Sequence, residues 1–523
     1  MNDDLETGPI PQTAPPEPVQ PAASGVDSKA MRSVAREGGW AGIFNLFGAA
    51  IRYGNNIILT RLLGAKLYGL YALANTVVTV ITIPSSLGLP TSMVHFVASY
   101  AETGRWDKLR WVLKAAFRVV FFSSLLGVIL VLALSPWASH SVFRKDGLLM
   151  PLSGLAVALP FLSLYTVCSG GLQGLKAIRG KVFIERIAHP LFFSILLVVG
   201  GFWFRTLEYV LVCFFVAAAA VLGLGLFWLM RRLKAIPAPA PAPPDWKHLL
   251  SFSTPVMFMQ FLNYFILWSD ILVMGIFWDA KEVGIYAIAS RLATAVSMPT
   301  EALGASLAPS FSGLTGKGDM AGLKRLFHTS TRWTLLLAGI LCTGLVLGGL
   351  PILHVFGKDF QAGFWALCIL AGGQMFSACF GANGILITMS GHPKANMFNA
   401  LFIGLGNLGL QLLLVPRYGA VGAATAAMLS MVILNITRAV ELGFLLRLAP
   451  WDRTVRKPFA VLGVTALVGA ASFRAFGPLP AMVLGLAAFA GTWVLLRPEA
   501  EDLDMLARAW GRLRRSPSGV ARR

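Results

Sequence analysis

The sequence predicts an all-α polytopic membrane protein of about fourteen transmembrane helices, built as two six-helix parallel repeats plus two C-terminal helices. Three observations predict it. First, 56% of the 523 residues are hydrophobic and only 13% charged, with a mean hydropathy of +0.69, whereas a soluble domain carries roughly 25% charged residues. Second, the apolar residues fall in runs of roughly 20, long enough to cross a ~30 Å hydrocarbon core as helix, without the alternation of a membrane β-barrel. Third, the two halves repeat one another.

Taken in order, the expected spans are 39–59, 68–92, 112–134, 148–170, 184–204, 208–230, 251–277, 284–309, 333–353, 364–388, 396–415, 419–440, 459–475 and 480–496. The corresponding units are a disordered cytoplasmic tail (1–38), an N-terminal six-helix bundle (39–235) and a Pro/Ala-rich cytoplasmic linker (236–250). A C-terminal six-helix bundle (251–445), two further helices (446–496) and a basic cytoplasmic tail (497–523) follow. The first 28 residues are rich in Pro and Ala and meet acidic residues before any Lys or Arg, the wrong flank for a cleaved signal peptide. The linker "IPAPAPAPP" (236–244) cannot be helical. Cys168, Cys213, Cys342, Cys368 and Cys379 all lie in apolar runs without metal-ligand spacing and read as small hydrophobes.

Charge gives the orientation. With the N-terminus in the cytoplasm, 33 of the 44 Lys and Arg residues fall on cytoplasmic segments and nine outside, leaving Arg52 and Arg291 within the membrane. The positive-inside rule therefore places both termini in the cytoplasm, which needs an even number of spans. It also accounts for the net charge of +20, so nucleic-acid binding is rejected. The segment from Arg508 to Arg523 is suited to rest on anionic membrane lipids.

A shift of 215 residues lays "AKLYGLYALANTVVTVITIP" (65–84) on "AKEVGIYAIASRLATAVSMP" (280–299) without gaps. Eight of twenty positions are identical, among them Ala65/Ala280, Gly69/Gly284, Tyr71/Tyr286 and Pro84/Pro299. Six helices separate equivalent positions, so the halves keep the same topology and are related by an axis along the membrane normal. Two like-oriented bundles suggest rocking around a central cavity, with a merely structural duplication as the alternative.

These repeats also carry a resemblance. "RLLGAKLYGLYALA", "SDILVMGIFWDAKEVGIYAIASRLA" (269–293), "SGHPKANMFNALF" (390–402) and "LLVPRYGAVGAATA" (413–426) resemble, in order and spacing, the polysaccharide transporter (Wzx-type oligosaccharide flippase) family. That family lies within the multidrug/oligosaccharidyl-lipid/polysaccharide flippase superfamily, and the likeness covers roughly residues 39–445. It implies the flippase-superfamily fold with a 6 + 6 + 2 helix plan. It further implies movement of an undecaprenyl-pyrophosphate-linked oligosaccharide to the periplasmic leaflet of a bacterial inner membrane, by alternating access and alongside polysaccharide polymerase or export proteins. Asn55-Asn56 stands where the lipid II flippases of the superfamily carry an Arg-Asp pair, which favours the polysaccharide branch.

An ionisable group at mid-helix costs about 2.5–3.5 kcal/mol on insertion scales, so Arg52, Asp270 and Arg291 stand out. All three lie roughly 10–12 Å deep at ~1.5 Å per residue. Arg52 and Arg291 are expected to face the cavity and bind the substrate's pyrophosphate or acidic sugars, because guanidinium stays charged and grips phosphate oxygens bidentately. Asn55 is the repeat equivalent of Asp270, and Asn45 that of Gln260, so Asn55, Asn45 and Gln260 join the substrate-binding candidates. Asp270 and Glu301 are candidates for gating or ion coupling, by proton or sodium. A structural Asp270–Arg291 pair and a helix-kink role for Glu301 are the alternatives. Pro84 and Pro299 remove the same backbone donor in each half and mark hinges or static bends. His95 and His189 are placed near cytoplasmic helix ends; Asn383, Asn407 and Gln411 either meet sugar hydroxyls or bridge helices.

No cofactor or metal is expected. A drug or cation exporter of the same superfamily is the competing transport reading, and it should present an acidic cavity. A polymerase or ligase would need a sizeable outer catalytic loop, whereas the longest expected outer loop (135–147) has about a dozen residues and no catalytic constellation.

Overall fold

The computed structural model describes the backbone of residues 28–201, 203–234, 243, 245–451 and 456–495, and among these helix is the only regular element. Among the described residues nine helices are long and apolar enough to cross a membrane, or up to eleven if each of two bent pairs is one span. Two of the nine, Phe47–Ser86 and Pro393–Leu446, are hairpins rather than rods. In the first, φ is +70° at Gly64, and Tyr68 Oη donates to Asn56 Oδ1 at 3.1 Å across the break. Twelve residues of straight helix would rise ~18 Å, beyond the reach of those side chains, so the chain doubles back. In the second, φ is +55° at Gly419, and Ser430 Oγ reaches Asn407 Oδ1 at 3.2 Å. Glycine serves both turns because it alone adopts positive φ without a Cβ penalty.

Numbered by passage, α1 covers 28–63 and α2 65–102, broken at 87–88. Trp106–Trp137 is α3, 149–174 (broken at 157–158) is α4, and 178–201 is α5. Leu207–Lys234 forms α6, Trp246–Phe277 α7, 280–316 α8 and Met320–Leu347 α9. The last five are α10 (358–389, broken at 379–382), α11 (393–418), α12 (420–446), α13 (Arg456–Phe476) and α14 (Pro478–Leu495). The 6 + 6 + 2 plan is thus filled. Passage α8 is less uniformly apolar than the other passages, because polar residues and the 3-10 segment Thr294–Ser297 interrupt its apolar run.

Some boundaries differ from expectation. Helix begins at Ser28, so residues 28–38 of the expected tail are helical, and α7 begins at Trp246, inside the expected linker. Residues 1–27, most of the linker and the basic tail 497–523 lie outside the described residues. Passages alternate in direction, so the turns at Gly64, Lys145, Gly357 and Gly419 share one face. Those at Gly104, Lys176, Gly318 and Gly391 share the other.

The halves meet where their repeats match best. A Cβ on Gly69 would collide with the Ala280 carbonyl and come within 2.9 Å of the Gly284 nitrogen; one on Gly284 would collide with the Ala65 carbonyl and lie 3.1 Å from the Gly69 Cα. Ala65 and Ala280, like Gly69 and Gly284, are repeat equivalents, so this contact maps onto itself when the halves are exchanged. The pseudo-two-fold axis passes through it. Small residues permit the close approach that packs helices in a membrane. Around this crossing Tyr68, Leu73 and Tyr286 are fully buried, while Phe122 and Phe402 on outer helices are 66% and 71% exposed, as a lipid-facing surface requires.

Candidate functional site

The α1–α2 hairpin brings Asn56 opposite Tyr68, and α8 lays Arg291 across both. Arg291 Nη1 donates to Asn56 Oδ1 and, at 3.0 Å, to Tyr68 Oη, while Tyr53 Oη donates to the Arg291 carbonyl at 3.0 Å. Arg291 therefore ties the second half to the first. The Asp270–Arg291 pair is not formed: Asp270 Oδ2 instead accepts from Tyr286 Oη at 2.9 Å, and Oδ1 from the Ile271 nitrogen at 2.8 Å.

Arg52 lies one turn before Asn56, whose amide nitrogen donates to the Arg52 carbonyl at 3.0 Å. Its half-buried guanidinium has no carboxylate within ion-pair distance among the described residues; its charged neighbour is another arginine, Arg186 of α5. Arg186 is brought there by Gly48, where an added Cβ would collide with the Arg186 carbonyl.

Arg52 and Arg291 line one cavity of about 420 Å³ between the halves. Phe193, Phe214 and Trp268 supply apolar wall, Asn55, Asn56 and Asn75 supply amides, and no Asp or Glu among the described residues lines it. With two guanidinium groups and no acid, the cavity is electropositive. His189 also lines it, packed between Tyr165 and Phe214 at centroid distances of 6.3 and 5.4 Å, rather than lying at a helix end as expected. His95 stacks on Phe252 of α7 at 4.7 Å.

The other candidates divide. Asn55 borders the cavity, but its amide is engaged: Nδ2 donates to the Pro190 carbonyl at 2.9 Å and Oδ1 accepts from Ser194 Oγ. That carbonyl follows the π-helical turn Ile184–Ala188, so Asn55 holds an irregular stretch of α5 against α1. Asn45 is exposed and Gln260 donates to Thr91 Oγ1 at 2.6 Å; neither lines the cavity. Repeat equivalence fixes their height but not the direction in which each helix turns them. Glu301 is exposed and accepts from Ser297 Oγ at 3.0 Å, the helix-kink arrangement. Pro84 precedes the break at 87–88, and Pro299 follows the 3-10 segment Thr294–Ser297, so both stand at bends. Asn383 donates to Asn435 Oδ1 at 3.1 Å and Asn407 accepts from Ser430, bridging helices. Gln411 is fully buried away from the cavity.

The halves touch on both faces. On the Gly64 face, Arg61 donates to the carbonyls of Val355 (2.7 Å) and His354 (3.0 Å), capping the short helix Gly349–Phe356 with a cation. Lys145 donates to the Gly275 carbonyl at the end of α7. On the Gly104 face, Ser253 Oγ donates to Ser92 Oγ at 2.8 Å, and Phe96 packs on His248 at 5.2 Å. The residues that sequence reading missed are Asn56, Tyr53, Tyr68 and Arg186. Tyr68 lies inside the repeated motif and Asn56 in the Asn55-Asn56 pair, whereas Tyr53 and Arg186 carried no signal.

Comparison with known proteins agrees with this architecture. The chain is 22% identical over 404 residues to the probable low-salt glycan biosynthesis flippase Agl15 of Haloferax volcanii, covering 76% of this chain and 81% of that protein. It is 22% identical over 476 residues to stage V sporulation protein B of Bacillus subtilis, covering 84% and 90%. Its fold matches the lipid II flippase MurJ in an inward closed conformation, with a TM-score of 0.67 at 14% identity over 86% of this chain and 97% of that one. An inward-facing MATE family transporter of the MOP superfamily gives 0.63 at 12% identity, over 78% and 98%. The MatE family matches residues 255–402. Matched over residues 34–315, more than half its length, the chain belongs to the polysaccharide biosynthesis protein family.

Proposed function

We propose that this protein is a flippase carrying undecaprenyl-pyrophosphate-linked oligosaccharide repeat units from the cytoplasmic to the periplasmic leaflet of a bacterial inner membrane. The observation that carries this reading is the cavity in which Arg52 and Arg291 stand without an acidic partner among the described residues. Two half-buried guanidinium groups favour an anionic cargo, and a pyrophosphate offers them oxygens for paired hydrogen bonds. An exporter of amphipathic cations would need the opposite sign.

Size sets the sequence of events. A cavity of about 420 Å³ lies at the small end of the ~300–1,000 Å³ range of ligand pockets. It suits a pyrophosphate headgroup, and the attached sugars require the halves to part. The halves touch on both faces, and alternating access would part them on the Gly104 face to load and on the Gly64 face to release. The positive-inside rule assigns the Gly104 face, and both termini, to the cytoplasm. Asp270 is the candidate for proton or sodium coupling, being a carboxylate at membrane depth held by a single hydroxyl and a backbone amide. The names of Agl15 and MurJ support a lipid-linked cargo.

The test is deletion and complementation. Loss of the gene should remove a surface polysaccharide while lipid-linked repeat units accumulate inside, and the wild-type gene should restore it where Arg52→Glu does not. Normal polysaccharide with the charge-reversed protein would refute the role given to Arg52.

A further inference from the structure

A second cavity, of about 710 Å³, lies apart from the central one on the Gly104 face, between the α4–α5 turn and the end of α6. Its charge comes from Lys176, Arg179, Arg231 and Arg232, and its apolar wall includes Trp228. Lys176 is paired with Glu102 at 3.0 Å. Arg231 and Arg232 are exposed, with no carboxylate within ion-pair distance among the described residues. The pocket depends on Gly180: a Cβ there would stand 3.1 Å from Trp228 Cε3, so the indole packs against bare backbone.

We propose that this pocket binds the phosphate of an anionic glycerophospholipid in the leaflet on this face, independently of the cargo carried by the central cavity. The spacing along α6 argues for a lipid rather than a soluble phosphate. Phe227 and Arg231 are four residues apart and share a face, as do Trp228 and Arg232. Each arginine therefore stands one turn, ~5.4 Å, nearer the membrane surface than an aromatic ring. Phe227 and Met230 beside the pocket are 59% and 54% exposed, as befits contact with acyl chains. Phosphate on the arginines with chains descending along Phe227 and Trp228 satisfies both levels together. A free phosphate would leave the lower one unused. Basic pockets at this level between transmembrane helices recognise acidic headgroups by charge, and each Lys or Arg strengthens the attraction.

The experiment uses the full-length protein in nanodiscs of phosphatidylcholine containing graded amounts of phosphatidylglycerol with brominated acyl chains. Tryptophan fluorescence is compared between wild type and Trp228→Phe to isolate Trp228. Brominated phosphatidylglycerol should quench Trp228 at lower mole fraction than brominated phosphatidylcholine. In the doubly substituted Arg231→Gln/Arg232→Gln protein that preference should fall by about thirtyfold, toward parity; Arg231→Lys/Arg232→Lys should retain most of it. Should the doubly neutralised protein not survive purification, Arg232→Gln alone is read the same way, with a smaller loss. Equal quenching by the two lipids, or a preference untouched by neutralising the arginines, overturns the proposal. Abolition of the preference by excess inorganic phosphate also overturns it, assigning the pocket to a soluble phosphate. No transport is measured, so the outcome is separate from that of the flippase reading.

Discussion

Asn55 and Asp270 occupy equivalent positions in the two halves, and each accepts a hydrogen bond from one hydroxyl on a neighbouring helix: Ser194 Oγ for Asn55, Tyr286 Oη for Asp270. Only one of them ionises. The first half thus holds a neutral strut where the second holds a carboxylate. Asp270→Asn keeps Oδ1 for the Ile271 amide and turns its NH2 toward Tyr286 Oη, a hydroxyl that can accept as well as donate, so it is expected to fold at a cost of about 1 kcal/mol. Transport by this variant should stop responding to an imposed proton or sodium gradient, each applied separately to reconstituted vesicles. A response equal to wild type would remove Asp270 from coupling.

The crossing of α2 and α8 should tolerate nothing larger than glycine. Gly69→Ala and Gly284→Ala each drive a methyl into the other helix's backbone, and overpacking of this kind costs about 1–3 kcal/mol. Gly406→Ala is the control. It stands in α11 with nothing within 4 Å of an added Cβ, so it should be neutral or gain up to about 1 kcal/mol from helix propensity. Thermal unfolding in detergent would separate the three, and an undisturbed melting curve for Gly69→Ala would contradict the backbone contact.

Arg52 and Arg291 line the same cavity but differ in their ties, so stability and transport should separate between them. No carboxylate among the described residues holds the Arg52 side chain, and Arg52→Gln should melt like wild type while losing transport. Arg291→Gln withdraws a charged donor from Asn56 and from Tyr68, which is fully buried. Removing a partner from buried polar groups costs about 1–3 kcal/mol, so this variant should lose thermal stability together with transport. Tyr68→Phe should reproduce the stability loss in part. Equal melting temperatures for Arg52→Gln and Arg291→Gln would deny Arg291 its role in joining the halves.

Much of this architecture was legible because the bilayer forces local signals on a sequence. Each passage must be apolar over its own length, and each turn on one face must be basic. Gap-free alignment of 65–84 with 280–299 located the helices that cross at Gly69 and Gly284. What was not legible depends on rotation and on contacts distant in sequence. Asn45 and Gln260 share a height, yet Gln260 turns to Thr91 and Asn45 to the exterior. Asn56 reads as one half of an Asn pair, and only the hairpin at Gly64 shows that it meets Tyr68 and, through it, Arg291. Arg186 reads as an ordinary basic helix end until Gly48 brings α5 against α1. Breaks at 157–158 and 379–382 carry no proline at the break itself and passed as continuous apolar runs.

The Ser92–Ser253 contact offers a direct test that the halves part on the Gly104 face. Their oxygens are 2.8 Å apart, so cysteines at both positions come within reach of a disulfide with modest adjustment. The five native cysteines are unpaired and would first be replaced by alanine or serine. Oxidised Ser92→Cys/Ser253→Cys protein should be unable to load cargo, and reduction should restore transport. Each single cysteine variant should be indifferent to oxidant. If the cross-linked protein transports at the wild-type rate, separation of α2 from α7 is no part of the cycle, and loading must proceed by another route between the halves.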